Sequence, residues 1–165
     1  MRKDVLYIEK LKGNDSQQFV VYSGNLFGFW THWTDKGTVP CWEDHSLCEG
    51  GHKEQTLRQN FLLQAFSTKK GKQVFIYLTP AAAEGLLAQL EHEELLRGLV
   101  VRVTRTNKDN GRLTCEILRD MAKRRIVAHE IDPFDSIMNF LKVSDEKRDP
   151  NRSLGTIPLP MEDVA

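Results

Sequence analysis

Several common features are scarce or missing in these 165 residues, and each absence narrows the field. No apolar run approaches the roughly 18 residues that a membrane span requires. The opening stretch "MRKDVLYIEKLKGNDSQQF" meets a charge at Glu9 before any secretory-type apolar segment can form. A soluble, cytoplasmic protein without membrane contact is therefore expected. Only three cysteines occur, and where thiols stay reduced a close pair of them points to metal before disulfide. Net charge is zero, which removes the global electrostatic argument for a nucleic-acid partner. There is no phosphate-binding Walker loop, no nucleophile elbow and no paired-carboxylate pattern, so nothing supports an enzyme directly. No internal repeat is visible.

The charge that is present is unevenly spread. Residues 97 to 125 carry nine Lys or Arg against three acidic residues, whereas residues 126 to 165 carry four against eight. A basic segment is followed by an acidic one.

Length and composition fit one folded domain, 1–143, and a charged, Pro-rich tail, 144–165, that is flexible or draped over the domain. Within the domain, "VLYIEKL" and "QFVVYSGNLFGFWTHW" read as strands, with Gly24 and Gly28 marking a bulge or bend in the second. "QNFLLQAFS" and "QVFIYLT" flank the basic turn "TKKGK". "PAAAEGLLAQLEHEELL" changes to helical spacing behind Thr79 as N-cap and Pro80 in the first turn. "GLVVRVTRT" and "GRLTCEILR" form a second hairpin, and "DPFDSIMNFLKV" a short helix capped by Asp132 or Asp135. The expected fold is mainly β, an OB-like Greek-key barrel with one amphipathic helix and an inserted zinc loop; an α+β sheet with one helix on a face would give the same string.

The inserted segment, "PCWEDHSLCEGGH", places Cys41, His45, Cys48 and His52 within thirteen residues. Four such donors are what a closed tetrahedral Zn2+ site needs, and a loop too small for its own core can fold on the metal instead. Gly50 and Gly51 give freedom for the tight return. The alternatives are an exposed polar loop anchored by Trp42 and Leu47, or a catalytic site in which only three of the four bind, with His32 or Asp44 nearby and Glu43, Asp44 and Glu49 as candidate bases. Cys115, alternating with Leu113 and Ile117, reads as a small core residue.

Aromatic platforms beside cations are how single strands are held, because every base offers a face and every nucleotide a phosphate. Trp30, Trp33, Trp42 and Tyr77 are candidate platforms, with Phe75 on the same face as Tyr77. Lys69, Lys70 and Lys72 at one turn, and Arg102, Arg105, Lys108 and Arg112 along the other hairpin, are candidate phosphate contacts.

With the Cys/His loop between strands, the hairpin "LVVRVTRTNKDNGRLTCEIL" and the tail "IPLPMEDVA", the chain resembles OB-fold single-stranded DNA-binding proteins that carry an inserted zinc loop. The resemblance covers residues 5 to 120 by pattern, and it implies a non-enzymatic protein that binds single-stranded nucleic acid, DNA before RNA, with little sequence preference. The tail lacks the family's dense acidic run ending in an aromatic. Two other readings compete: an accessory subunit of a nucleoprotein assembly, contacting a protein partner through 132–143 or the tail, and a zinc-dependent hydrolase.

Overall fold

Six consecutive residues, Asn60 to Ala65, are buried in the strand β5 (Leu57–Ser67), and a strand buried on both faces must lie inside a sheet covered on both sides. The computed structural model, which describes residues 5–106, 111–149 and 152–157, builds the rest of the sheet around it. On one side β5 pairs antiparallel with β6 (Lys72–Leu78) through the tight turn 68–71. On the other it pairs with two strands placed end to end, β2 (Asp15–Val21) along its last residues and β3 (Phe27–Thr34) along its first. The bend expected near Gly24 falls between them, where Tyr22 and Ser23 both donate to the Gln64 carbonyl at 2.8 and 3.2 Å.

The sheet runs β1 (Ile8–Glu9), β6, β5, β2, β7 (Val100–Arg105), β8 (Leu113–Ile117), with β4 (Gly37–Pro40) and β9 (Thr156–Ile157) attached to β3. β1 and β8 end this path, so the sheet is not closed. All pairings are antiparallel except β1 with β6. β4 was not foreseen: "GTVP" is short and half-buried, and it exists because the turn at residues 35 and 36 folds it back on β3.

One face of the sheet carries Phe19, Val21, Leu63, Ala65, Val74, Ile76, Val101 and Val103 and is covered by α1 (Pro80–Ala88) through Ala82, Ala83 and Leu86. As expected, Pro80 opens the helix, and the Thr79 hydroxyl accepts from the Ala82 N–H at 3.3 Å. α1 ends at Ala88 although the helical spacing runs on to Leu96. At its C-cap the Gln89 side-chain amide reaches the β8 edge: Nε2 donates to the Cys115 carbonyl at 2.7 Å and Oε1 accepts from the Ile117 N–H at 2.8 Å. This gives an edge strand the partner it lacks, and Leu96 and Leu99 reach the core through turns instead.

A second core cluster of Ile8, Phe29, Leu62, Phe75, Ile137, Met138 and Leu154 also includes Cys41, Trp42 and Cys48. Its cover is a second helix, α2 (Phe134–Phe140), whose first turn is capped by Asp132 accepting from the Phe134 N–H at 3.0 Å. Tail residues contribute as well. Trp42 bridges Leu154, and Thr156 and Ile157 pair with Phe29 and Gly28, so this portion is draped.

Gly98 has φ +92°, and a Cβ there would overlap the Arg124 carbonyl oxygen, while the Arg124 N–H donates back to the Gly98 carbonyl at 2.8 Å. Gly98→Ala is expected to destabilise the fold by about 2 kcal/mol. Thermal unfolding should show a melting temperature lower by roughly 4–8 °C for a chain of this size.

Candidate metal centre and nucleic-acid surface

His32 sits on β3, Cys41 directly follows β4, and Cys48 and His52 lie in the loop that returns to β5. The loop is shaped locally. Asp44 caps a 3-10 turn at His45–Leu47 by accepting from Ser46 N–H and Oγ at 3.1 and 2.7 Å. Gly50 and Gly51 then take φ +73° and +86°, the left-handed return that L side chains resist. Cys41 is fixed by its own backbone, its N–H donating to the Trp30 carbonyl at 3.1 Å and its carbonyl accepting from Gly155 at 2.9 Å.

One ligand-type atom from each of His32, Cys41, Cys48 and His52 lies within 4.8 Å of the others. The two Sγ atoms are 3.9 Å apart, and His52 Nδ1 is 3.7 Å from Cys41 Sγ and 3.8 Å from Cys48 Sγ. Tetrahedral zinc, with Zn–S of about 2.3 Å and Zn–N of about 2.0–2.1 Å, sets these edges near roughly 3.8 Å for S···S and 3.6 Å for S···N. Geometry and donor chemistry are compatible with a zinc site.

The fourth donor differs from the spacing-based expectation. His45 is exposed, its ring stacked on that of His52 with centroids 3.6 Å apart, whereas His32 is 1% exposed and belongs to the cluster. The Thr56 hydroxyl donates to the Lys53 carbonyl at 2.8 Å, so toward His32 Nδ1, 2.9 Å away, its oxygen can only accept. Nδ1 therefore carries the proton, and Nε2 presents a lone pair. That Nε2 is buried without any hydrogen-bond partner. An orphaned buried acceptor is costly, and coordination would satisfy it, with Thr56 as the outer-shell orienting group. Burial, followed by the neighbouring His52, lowers the His32 pKa and favours the neutral ring. Burial and the adjacent Cys48 push the Cys41 thiol up to about 12, so a Cys41 thiolate here requires a cation beside it.

The proposed nucleic-acid contacts fall into two groups. Lys69, Lys70, Lys72 and Arg112 are exposed at hairpin ends, and Arg102 is exposed in mid-strand between Gln18 and Glu116. Arg105 is half-buried and spent on backbone, donating from Nε to the Leu11 carbonyl at 2.7 Å and from Nη1 to the Gly111 carbonyl at 3.1 Å. Lys108 lies outside the described residues. The last residues of β5 and of β7 flank β2 on opposite sides and run in the same direction, Ser67 facing Phe19 and Arg105 facing Asp15.

The tryptophans lie elsewhere. Trp30 pairs with Gln59, eight residues from Ser67 along β5, which is about 27 Å of strand. Trp33 is 60% exposed; Trp42 is buried in the second core cluster against Phe134. Tyr77 is half-buried, stacked on Phe140, with its hydroxyl donating to Asn60 Oδ1 at 3.0 Å, and burial raises its pKa. The aromatic at the basic end is one that spacing did not single out: Tyr7 is 59% exposed, with Lys70 Nζ 4.9 Å and Lys72 Nζ 5.7 Å from its ring centre. The alternation of "VLYIE" would have placed it outward, opposite Ile8.

Compared with protein-family models, with curated proteins and with solved structures, the chain finds no match in any of the three. Among the described residues, no helix is long and apolar enough to cross a membrane.

Purified protein is expected to hold about one zinc per chain by elemental analysis. His32→Ala and Cys48→Ala should each lose it, while His45→Ala should retain it. Zinc affinity should weaken as pH falls, because the donors bind deprotonated. Burial also pushes the Cys115 thiol up to about 12, from 9.0. The folded chain thus favours the neutral thiol, and this contribution is intact below pH 9 and lost as pH rises toward 12. Denaturant midpoints of Cys115→Ala should accordingly fall less across that range than those of the parent chain.

Proposed function

We propose that the protein is a non-enzymatic, zinc-stapled β module that binds single-stranded nucleic acid, DNA before RNA, with little sequence preference. The observation that carries this reading is the basic end of the sheet, where Lys70 and Lys72 lie over the exposed ring of Tyr7. A base can stack on such a ring while the ammonium groups meet its phosphates, and neither contact reads sequence. Lys70 also pairs with Glu9, which orients it toward the ring.

Zinc has a structural part in this proposal. Four protein donors leave no open position for water or substrate, so the residues hold an ion whose binding free energy supports the loop and the second core. An OB-like arrangement belongs to the same proposal, with α1 falling between β6 and β7 in the chain of the open six-stranded path β1, β6, β5, β2, β7, β8.

Binding of a fluorescent single strand to zinc-loaded protein tests the reading. The logarithm of affinity should fall steeply with the logarithm of salt concentration, and Lys69→Glu with Lys72→Glu should weaken binding and flatten that slope by about one or two phosphate contacts. Absence of salt-dependent binding in a zinc-loaded sample would overturn it in favour of an accessory subunit that contacts protein.

A further inference from the structure

Lys36, at the tip of the β3–β4 hairpin, stands between two hollows. One, of about 400 Å³, is flanked by Trp33, Lys53 and Thr56; the other, of about 540 Å³, by Lys10, Tyr77 and Lys142. Lys36 and Glu49 line both, so the two hollows adjoin and are treated together as one groove.

Charge and aromatic surface alternate along it. Lys10, Lys36, Lys53 and Lys142 are all exposed around the groove. Of the acidic groups, Glu49 is engaged by Lys147 at 3.4 Å, and Asp35 is the other. Lys10 Nζ lies 5.3 Å from the centre of the Tyr77 ring, which Phe140 backs from another side. Trp33 presents the largest aromatic surface that the described residues leave to solvent. The hairpin that carries it is held stiffly, with Thr34 Oγ1 donating to the Gly37 carbonyl at 2.8 Å and accepting from the Lys36 N–H at 3.3 Å. His32, the preceding residue on β3, belongs to the four-donor cluster.

We infer that this groove is a second seat for the single strand, in which one base stacks on Trp33 and the adjoining phosphates lie among Lys36, Lys10 and Lys142. The inference rests on the proposed nucleic-acid function and adds a site remote from the hairpin end: the strand is held at both ends of β5. An apolar protein segment would gain from Trp33 but would leave four ammonium groups unmatched, whereas a nucleotide uses both.

The test uses full-length zinc-loaded protein and a fluorescent oligothymidylate of about 16 nucleotides, the upper site size for a domain of this kind. Strand binding should quench intrinsic tryptophan emission, and Trp33→Phe should lose most of that quench. Trp33→Ala should weaken binding about tenfold, as loss of one stacked base does. Lys36→Glu with Lys142→Glu should weaken it at least as much, with zinc content and circular dichroism unchanged. These are surface positions, so the variants should fold. If the double charge reversal and Trp33→Ala bind like the parent chain while Lys69→Glu with Lys72→Glu binds poorly, the groove is refuted and the basic end stands. If the parent chain binds no strand at low salt, the functional reading falls and the groove with it.

Discussion

The imidazole of His32 has one nitrogen fixed by Thr56 and the other buried with nothing to bond, and much of one half of the molecule is arranged around that nitrogen. Burying two thiols and the His32 imidazole beside the half-buried His52 costs free energy, because the buried groups give up water, and neighbours disfavour the charged forms of His32 and Cys41. A divalent cation at their centre reverses the sign of each term: thiolates gain a counter-charge, and both ring nitrogens gain a partner. The arrangement makes energetic sense as a binding site and poor sense as a packed core, which is the physical case for metal.

What the cluster joins explains its value to the fold. The loop between β4 and β5 has little apolar surface of its own, yet it supplies Trp42, Cys41 and Cys48 to the second core cluster. Through Trp42 it meets Leu154, and through Cys41 it meets Gly155, so the tail reaches β3 over a surface the loop has built. The opposite face needs no such help. There the sheet and α1 bury aliphatic side chains in the ordinary way.

Both proposed strand-binding regions follow from this division. The basic end lies where β5–β6 and β7–β8 turn, supported by the aliphatic core. The Trp33 groove lies on the hairpin and loop supported by the four-donor cluster.

The sequence by itself determined most elements, because their signals are local. Alternation in "QVFIYL" and "VVRVTR", the Thr79-Pro80 helix start, and the Gly50-Gly51 return each depend on neighbours within a few residues. Cys41, Cys48 and His52 were legible for the same reason, since loop spacing brings them together. Tertiary structure alone decided the fourth donor: His32 is nine residues before Cys41, and the β3–β4 hairpin folds it back, while the nearer His45 is turned outward by the Asp44 cap. It likewise decided the partner of Gln89, whose side chain bonds a strand 26 residues away. The sheet's failure to close, the burial of Trp42 and the separation of the tryptophans from the basic hairpins have the same origin. Local propensity sets what each segment becomes, but which side chains meet depends on registers between strands far apart in the chain, and those are settled only when the whole sheet pairs.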